Sequence, residues 1–286
     1  MVALFFAYMQ KISYLCARKI EHMNKFANIL KPLMPIVSAV YGLAVIYVTA
    51  LPLSGDTRSV VSEVLTWLIT IAGIALTLWL VHYVEPKLYP ESDQFALKLP
   101  KISIIAGLLL LAPLWLVAEE YIVYGLTSLT HTVQMESFTY TTEELREDLL
   151  SSVHAVLLAP ILEELCFRQM AISPFRRRWA QIVVCVVMAI LFGVVHIRNF
   201  PGAFLAALVY GGVFVWTRNI WYSVALHAGS NLVKTLLAVY CWLQLGEMQM
   251  TKIPVIILPD IKIIIASLLL AIVGVVILIR KRKQRK

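Results

Sequence analysis

The stretch IIIASLLLAIVGVVILI (263–279), followed at once by RKRKQRK (280–286), decides the fold class of this chain. A helix needs about 20 predominantly apolar residues to cross the hydrocarbon core of a bilayer. Other runs in the chain are of similar length, and the whole sequence is 60% hydrophobic and only 15% charged. An average soluble domain carries about 25% charged residues. The composition therefore predicts an all-α, polytopic protein of the lipid bilayer.

Apolar runs separated by charged or turn-forming segments predict about eight transmembrane helices around a conical or cavity-containing core. Their approximate bounds are 33–53, 64–85, 102–125, 149–172, 179–197, 202–217, 220–243 and 262–279. The sequence contains no internal repeat or interdomain linker, which predicts one helical domain over 33–279. We expect an amphipathic membrane-surface segment before it (1–32) and a basic cytoplasmic tail after it (280–286).

The distribution of Lys and Arg predicts the orientation, because basic residues concentrate in cytoplasmic segments. With the N-terminus inside, the outer segments hold only Arg58, Arg146, Arg198, Lys252 and Lys262. Both termini are then expected in the cytoplasm. The net charge of +8 does not indicate nucleic-acid binding, because the basic tail directly follows a span, where it is typical of an anchor beside anionic lipid.

The sixth predicted span, 202–217, is short. Its residues cover only about 24 Å at a rise of 1.5 Å each, less than the roughly 30 Å of the hydrocarbon core. Irregular backbone at membrane depth is tolerated only where protein or water surrounds it. We therefore expect the preceding turn, Ile197–Gly202, to be recessed into the protein beside a polar cavity.

Ionisable residues inside membrane spans are functional candidates by default. In APILEELCFRQM (159–170), Glu164 and Arg168 are four residues apart and share a helix face, which predicts an ion pair. Glu163 is rotated by about 100° from Glu164 and points away from the guanidinium. With no obvious partner in a medium of low dielectric, Glu163 is the better candidate for a general base.

Two further pairs repeat the spacing of four residues. They are Phe192 and His196 in FGVVH, and His227 and Asn231 in HAGSN. A carboxylate, an imidazole that shares its proton and a His/Asn donor pair suit acyl transfer to water, because the base activates water and the donors stabilise the oxyanion. Counting from the inner boundary places Glu163 about 20 Å deep, His196 about 26 Å and His227 only about 10 Å. Tilted helices or the recessed turn must bring them together.

Structural roles are the alternative for each of these groups. Glu164–Arg168 suits a structural pair, His196 an interhelical hydrogen bond, and His227/Asn231 contact between helices. Glu119 and Glu120 lie near the outer end of the third span, where we expect interfacial water to solvate them, and Lys234 is expected to pair with a carboxylate or to snorkel. His154 and Cys166 are interpreted as packing residues.

The ordered motifs EExxxR (EELCFR), FxxxH and HxxxN, on spans four to seven, resemble the CPBP (Abi) family of intramembrane proteases, which includes the CAAX prenyl endopeptidases. The resemblance covers about 148–243, the protease-like core, and the eight-span count is also similar. It implies that Glu163 is the catalytic base, that His196 helps it to activate water, and that His227 and Asn231 stabilise the oxyanion. Glu164, Arg168 and Phe192 fall on supporting positions. Gln169 departs from the pattern, since many members have Gly there.

The resemblance implies a glutamate-based hydrolase of membrane-associated proteins or peptides that needs no cofactor. Zinc bound by Glu163, His196 and His227 is the alternative, although no HExxH motif is present. The style of the chain favours a prokaryotic cell membrane. Substrate identity, prenylation of the substrate and oligomeric state are left open by the sequence.

Two other function classes compete with a protease. One is a catalytically silent membrane scaffold or regulatory binding protein, against which the intact motifs argue. The other is a proton-coupled transporter that uses Glu119, Glu120 and Glu163. The lack of a sequence repeat disfavours it, since many transporter folds are built from internal repeats.

Overall fold

The structure is a computed structural model that describes residues 29, 31–50, 60–88, 99–129, 136–138, 142–245, 248–250 and 261–283. Most of the predicted amphipathic segment, 1–32, lies outside these residues. The last three residues of the basic tail, 284–286, also lie outside them, whereas 280–283 continue the final helix.

The fold is all-helical apart from two short strands, which confirms the predicted fold class. The numbered α-helices of the described residues are α1 (Met34–Ala50), α2 (Val60–Trp79), α3 (Ile102–Ser128), α4 (Thr142–Leu157), α5 (Ala159–Glu164), α6 (Arg178–Val195), α7 (Phe200–Thr217), α8 (Ile220–Leu245) and α9 (Ile261–Lys283). The short helices are two 3₁₀ turns, Lys31–Leu33 and Ile197–Asn199, and a helical end, Glu85–Leu88. Two π-helical turns, Leu80–Val84 and Leu165–Met170, continue α2 and α5.

Six helical segments of the described chain are long and apolar enough to cross a membrane. They are Val61–Val84, Ile102–Ser128, Leu149–Met170, Arg178–Val195, Ile197–Thr217 and Ile261–Ile279. Helices α1 and α8 occupy the positions of the first and seventh predicted spans. α1 is short, and α8 carries His227, Asn231 and Lys234 among its apolar residues. The chain is therefore an integral membrane protein, and the count of eight spans stays a prediction.

The fourth predicted span is not one continuous helix. α4 ends at Leu157, Leu158 forms a turn, and α5 begins with Pro160 in its first turn. Proline suits this place because it has no N–H to lose and its fixed φ matches a helix start. The π-helical turn Leu165–Met170 follows, and π-helical turns are often found at functional sites. The break and the π turn flank the two adjacent glutamates.

Two short strands, which the sequence did not predict, pair at one end of the bundle. β1 (Glu136–Phe138) follows α3 and β2 (Met248–Met250) follows α8; they are antiparallel, with Ser137 opposite Gln249. Both strands lie in segments that the orientation scheme puts on the outer side. Their pairing places these segments at the same end, as that scheme requires, and the orientation of the termini stays a prediction.

Small residues allow α3 and α9 to approach closely. A Cβ on Gly107 would lie 2.8 Å from Leu278, and a Cβ on Gly274 would lie 2.8 Å from the carbonyl oxygen of Gly107. Close backbone approach at glycines is a common way for membrane helices to pack. This contact holds the N-terminal part of α3 against α9, with α3 also packed on α8 and α7.

Candidate active site

Glu164 is fully buried and joins two helices of the site. Its carboxylate forms an ion pair with Nη1 of Arg168 (3.2 Å), which confirms the predicted i,i+4 pair. It also accepts hydrogen bonds from Ser223 Oγ (2.5 Å) and from His227 Nδ1 (2.9 Å), both on α8. A buried charge costs several kcal/mol unless it is paired and hydrogen-bonded. Glu164 meets that condition and ties α5 to α8.

Arg168 projects from the π-helical turn into an aromatic enclosure. Its Nη2 donates to the carbonyl oxygen of Ala207 (3.3 Å), and its guanidinium carbon lies 5.0 Å from the ring centroid of Phe192 and 6.0 Å from that of Tyr210. A guanidinium over an aromatic face is attracted by the ring quadrupole. Arg168 therefore supports Glu164 and orders the aromatic side chains beside the histidines.

The sequence indicated no partner for Glu163, but the structure places this residue beside His227. Its Oε2 is 3.7 Å from Nε2 of His227, a distance longer than a direct hydrogen bond. Because Glu164 can only accept when ionised, Nδ1 of His227 is the protonated nitrogen toward it. The other nitrogen, Nε2, faces Glu163, so protonation of Nε2 makes His227 an imidazolium between two carboxylates.

The α8 helix meets α5 at the depth of Glu163, which resolves the mismatch in counted depths for Glu163 and His227. Stacking against Tyr210 holds the His227 ring, with centroids 4.6 Å apart and planes at 21°. Such offset stacks contribute about 0.5–1.5 kcal/mol beyond buried area. The ring position is thus set by Glu164 on one edge and Tyr210 on one face.

His196 stands at the end of α6, and Phe192 lies between it and the rest of the site. Its Nδ1 donates to the carbonyl oxygen of Phe192 (2.9 Å), and its ring stacks on the Phe192 ring with centroids 4.4 Å apart. The same Phe192 ring meets His227 edge-on at 6.0 Å. Since Nδ1 carries the donated proton, the neutral ring presents a lone pair at Nε2. The structure thus joins His196 to His227 through Phe192, which shares the FxxxH motif with His196.

Asn231 lines a cavity of about 340 Å³ between α4 and α8. Its Nδ2 donates to the carbonyl oxygen of Ala155 (2.8 Å), and Ala155 and Lys234 line the same cavity. The other lining residues are Leu145, Leu149, Ser151, Ser152, Thr235, Ala238 and Val239. An apolar cavity with a few polar groups is typical of a ligand site. Helix α8, which also carries His227, therefore forms one wall of this cavity.

Glu119 and Glu120 are buried, so the expectation that interfacial water solvates them is wrong. Both face Lys234 of α8, whose Nζ lies 3.3 Å from Glu119 and 3.7 Å from Glu120. Lys234 therefore pairs with carboxylates, one of its two predicted outcomes. The physical reason is that α3 packs on α8, which brings a cation to the two carboxylates in place of water.

Sequence reasoning missed several polar contacts of the site. Ser223 could have been found, because it precedes His227 by four residues and so shares its helix face. Tyr210 is not spaced in this way from a predicted site residue, so the sequence gives no sign of its contact with His227. Gln169, the departure from the family pattern, is buried and hydrogen-bonds Glu85, which also accepts from Ser173. His154 is more than a packing residue, since its Nε2 lies 2.8 Å from Thr70 Oγ1.

The three alternative zinc ligands do not form one cluster. Among the described residues, no three His, Cys, Asp or Glu side chains come together in a group that could hold a metal ion. Glu163 and His227 are neighbours, and Nδ1 of each histidine contacts a protein acceptor while Nε2 stays available, but His196 does not join Glu163 and His227 in one group. A catalytic zinc needs three protein ligands. The arrangement does not fit such a site.

The part of the chain that carries the three motifs matches a known family model. Residues 146–233 match the family model described as type II CAAX prenyl endopeptidase Rce1-like. This match supports assignment of the chain to the CPBP (Abi) family. The matched segment contains Glu163, Glu164, Arg168, His196 and His227, with Phe192 and Asn231. No curated protein and no solved structure matches the chain significantly. In general terms, this match supports a CAAX-type intramembrane endopeptidase activity.

Proposed function

We propose that this protein hydrolyses peptide bonds of membrane-associated proteins or peptides with water activated by Glu163. The observation that carries the proposal is the contact between Glu163 and His227, together with the full pairing of Glu164 behind it. Glu164 has Arg168, Ser223 and His227 as partners, so its charge is committed to structure. Glu163 faces Nε2 of the same imidazole at 3.7 Å, where a water molecule can contact both atoms.

Glu163 takes a proton from this water as the oxygen attacks the carbonyl carbon of the scissile bond. The negative charge that develops on the carbonyl oxygen is stabilised by Nε2–H of protonated His227 and by the amide of Asn231. Glu163 then delivers its proton to the leaving nitrogen as the C–N bond breaks, which restores the carboxylate and balances the reaction. Donors aimed at a developing oxyanion are usually the largest single contribution to catalysis.

His227 can donate at Nε2 only in its protonated state, because Nδ1 already donates to Glu164. The Glu164 carboxylate accepts that Nδ1–H. With both glutamates ionised and Arg168 and His227 protonated, the four-residue group is electrically neutral. A neutral group can remain buried at membrane depth without an uncompensated charge.

His196 supplies a second nitrogen that can share the proton of the activated water. Its Nδ1–H donates to Phe192, so Nε2 is the acceptor in the neutral ring. We assign it to assist Glu163 from the far side of Phe192. This assignment uses His196 in its neutral form.

The proposal is tested with purified protein in liposomes and a fluorescence-quenched peptide that ends in a prenylated Cys-aliphatic-aliphatic-X sequence. The same peptide without the prenyl group and an unrelated hydrophobic peptide are run in parallel. Cleavage by wild type and none by Glu163→Gln is the expected result. Glu85→Gln, which alters another buried carboxylate, is the matched control and should retain cleavage.

A survey of peptide termini in membranes with and without the protein extends the test to natural substrates. New termini that require Glu163 would support an endopeptidase. Equal activity of wild type and Glu163→Gln would contradict the mechanism. Absence of any Glu163-dependent fragment in both experiments would favour a catalytically silent scaffold or a transporter.

A further inference from the structure

We propose that Glu119 is a positioning residue that holds the His196-bearing turn against α8, the helix that carries His227 and Asn231. This inference rests on the proposed function, since it assigns Glu119 a role in aligning the two halves of that site. Glu119 lies on α3, outside all three motifs. It belongs to the group formed by Glu119, Glu120 and Lys234, which the proposed mechanism does not use.

The first contact of Glu119 is with α8. Its Oε1 lies 3.3 Å from Nζ of Lys234, and its side chain is almost completely buried. Lys234 follows Asn231 by three residues and His227 by seven, so the three side chains share one face of α8. Lys234 and Asn231 also line the same cavity. The ion pair therefore fixes α3 to the catalytic face of α8.

The second contact of Glu119 is with Gly202, in the first turn of α7, which directly continues the turn after His196. A Cβ built on Gly202 would lie 3.0 Å from Oε1 of Glu119 and 2.8 Å from Oδ1 of Asn199. The side chains of Glu119 and Asn199 therefore both occupy space that a side chain at position 202 would need. Asn199 is joined to His196 directly, because its backbone N–H donates to the carbonyl oxygen of His196 (2.8 Å).

The Glu119 carboxylate thus lies against α8 and against the start of α7, which continues the turn after His196. The relative position of these two elements matters for catalysis. His196 is carried by the end of α6 and its turn, whereas His227 and Asn231 are carried by α8. A shift of about 1 Å in a catalytic group can cost about 100-fold in rate. Glu120 offers a natural comparison, because it lies beside Glu119 and contacts the same Lys234, at the longer distance of 3.7 Å.

The experiment compares two matched pairs of variants in liposomes. Glu119→Ala and Glu120→Ala each leave Lys234 with one carboxylate, so both change the charge of the group by the same amount. Gly202→Ala inserts a methyl group between Glu119 and Asn199, whereas Gly212→Ala adds one in open space on the same helix. Two quantities are measured: kcat and KM on the cleaved peptide, and hydrogen exchange of the backbone over residues 196–204 without substrate.

Glu119→Ala and Gly202→Ala should each lower kcat at least 10-fold with KM within twofold, and should speed exchange over 196–204. Glu120→Ala and Gly212→Ala should leave both quantities near wild type. Unchanged exchange in Glu119→Ala, or equal loss of kcat in Glu119→Ala and Glu120→Ala, would overturn the proposal. If wild type cleaves no peptide, the proposed function fails, and the exchange data alone then decide whether Glu119 holds the turn.

Discussion

Two pairs of adjacent glutamates are buried in the described part of the chain, and they are stabilised in different ways. In the pair Glu163–Glu164, the second carboxylate has a partner on its own helical segment, Arg168, and two on α8. In the pair Glu119–Glu120, both carboxylates contact the same cation, Lys234, which is 115 residues from Glu119 in sequence. Arg168 and Ser223 pair with Glu164 and leave Glu163 beside His227 for chemistry, whereas Lys234 contacts both members of the other pair and holds helices together.

The largest expected effect distinguishes the two members of the first pair. Glu163→Gln should lower peptide cleavage by about 10³–10⁴, because it removes the proposed base while the Gln side chain keeps its shape. Glu164→Gln should instead lower the thermal stability of the protein in detergent, since Arg168 and His227 lose their shared anion. The two variants are compared by cleavage rate and by melting temperature. Equal effects on both measurements would contradict the division of roles.

Removal of Arg168 tests whether Glu164 depends on its neighbour in the π-helical turn. Arg168→Ala should destabilise the protein by up to about 3–5 kcal/mol, because it leaves a fully buried carboxylate with fewer partners. Ser223 and His227 remain, so the lower part of this range is expected. The measurement is the free energy of unfolding in detergent, with the exposed Arg178→Ala as control. A change no larger than that of the control would show that Ser223 and His227 satisfy Glu164 unaided.

Asn231 tests the oxyanion assignment on α8. Asn231→Ala should lower kcat by about 10²–10³ with little change in KM, because a donor is lost where charge develops in the transition state. Its amide also donates to Ala155, so a modest loss of stability is expected as well. Ser152→Ala, which alters another polar residue of the same cavity, is the control. A rise in KM with unchanged kcat would assign Asn231 to substrate binding instead.

The second pair of glutamates should respond more weakly to loss of its cation. Lys234→Met removes the cation that Glu119 and Glu120 share, and we expect destabilisation of about 1–3 kcal/mol. The cost is smaller than for Arg168 because the Lys234 side chain is 33% exposed, so water can reach the pair. Melting in detergent is compared with that of Lys262→Met. An effect larger than that of Arg168→Ala would reverse the ranking of the two regions.

The smallest expected effect is that of a chelator. Cleavage by protein treated exhaustively with chelator should stay near its untreated rate, and metal analysis should find less than one zinc per chain. The mechanism from Glu163 and His227 needs no metal, and these residues do not form a three-ligand group with His196. Activity lost with chelator and restored by zinc would recast Glu163, His196 and His227 as ligands.

Spacing within single helices predicted much of the site but few of the contacts between its helices. The pair Glu164–Arg168 was predictable because a spacing of four residues brings two side chains to one face of an α-helix. The pair also forms across the π-helical turn. The partnership of Glu163 with His227 was not, because it depends on how α5 packs against α8. The break at Leu158 before Pro160 also shifted the glutamates relative to α4 in a way that a single continuous span does not allow.

By itself, the sequence determined that this protein is an all-helical protein of the membrane and which charged residues stand in its spans. Hydrophobic length and the spacing of side chains on one helix are local properties, so they can be counted along the chain. Only the tertiary structure decided that His227 joins Glu163 to Glu164, and that Lys234 pairs with Glu119 and Glu120. Those contacts join residues far apart in sequence, and their geometry is set by the packing of α8 against α3 and α5.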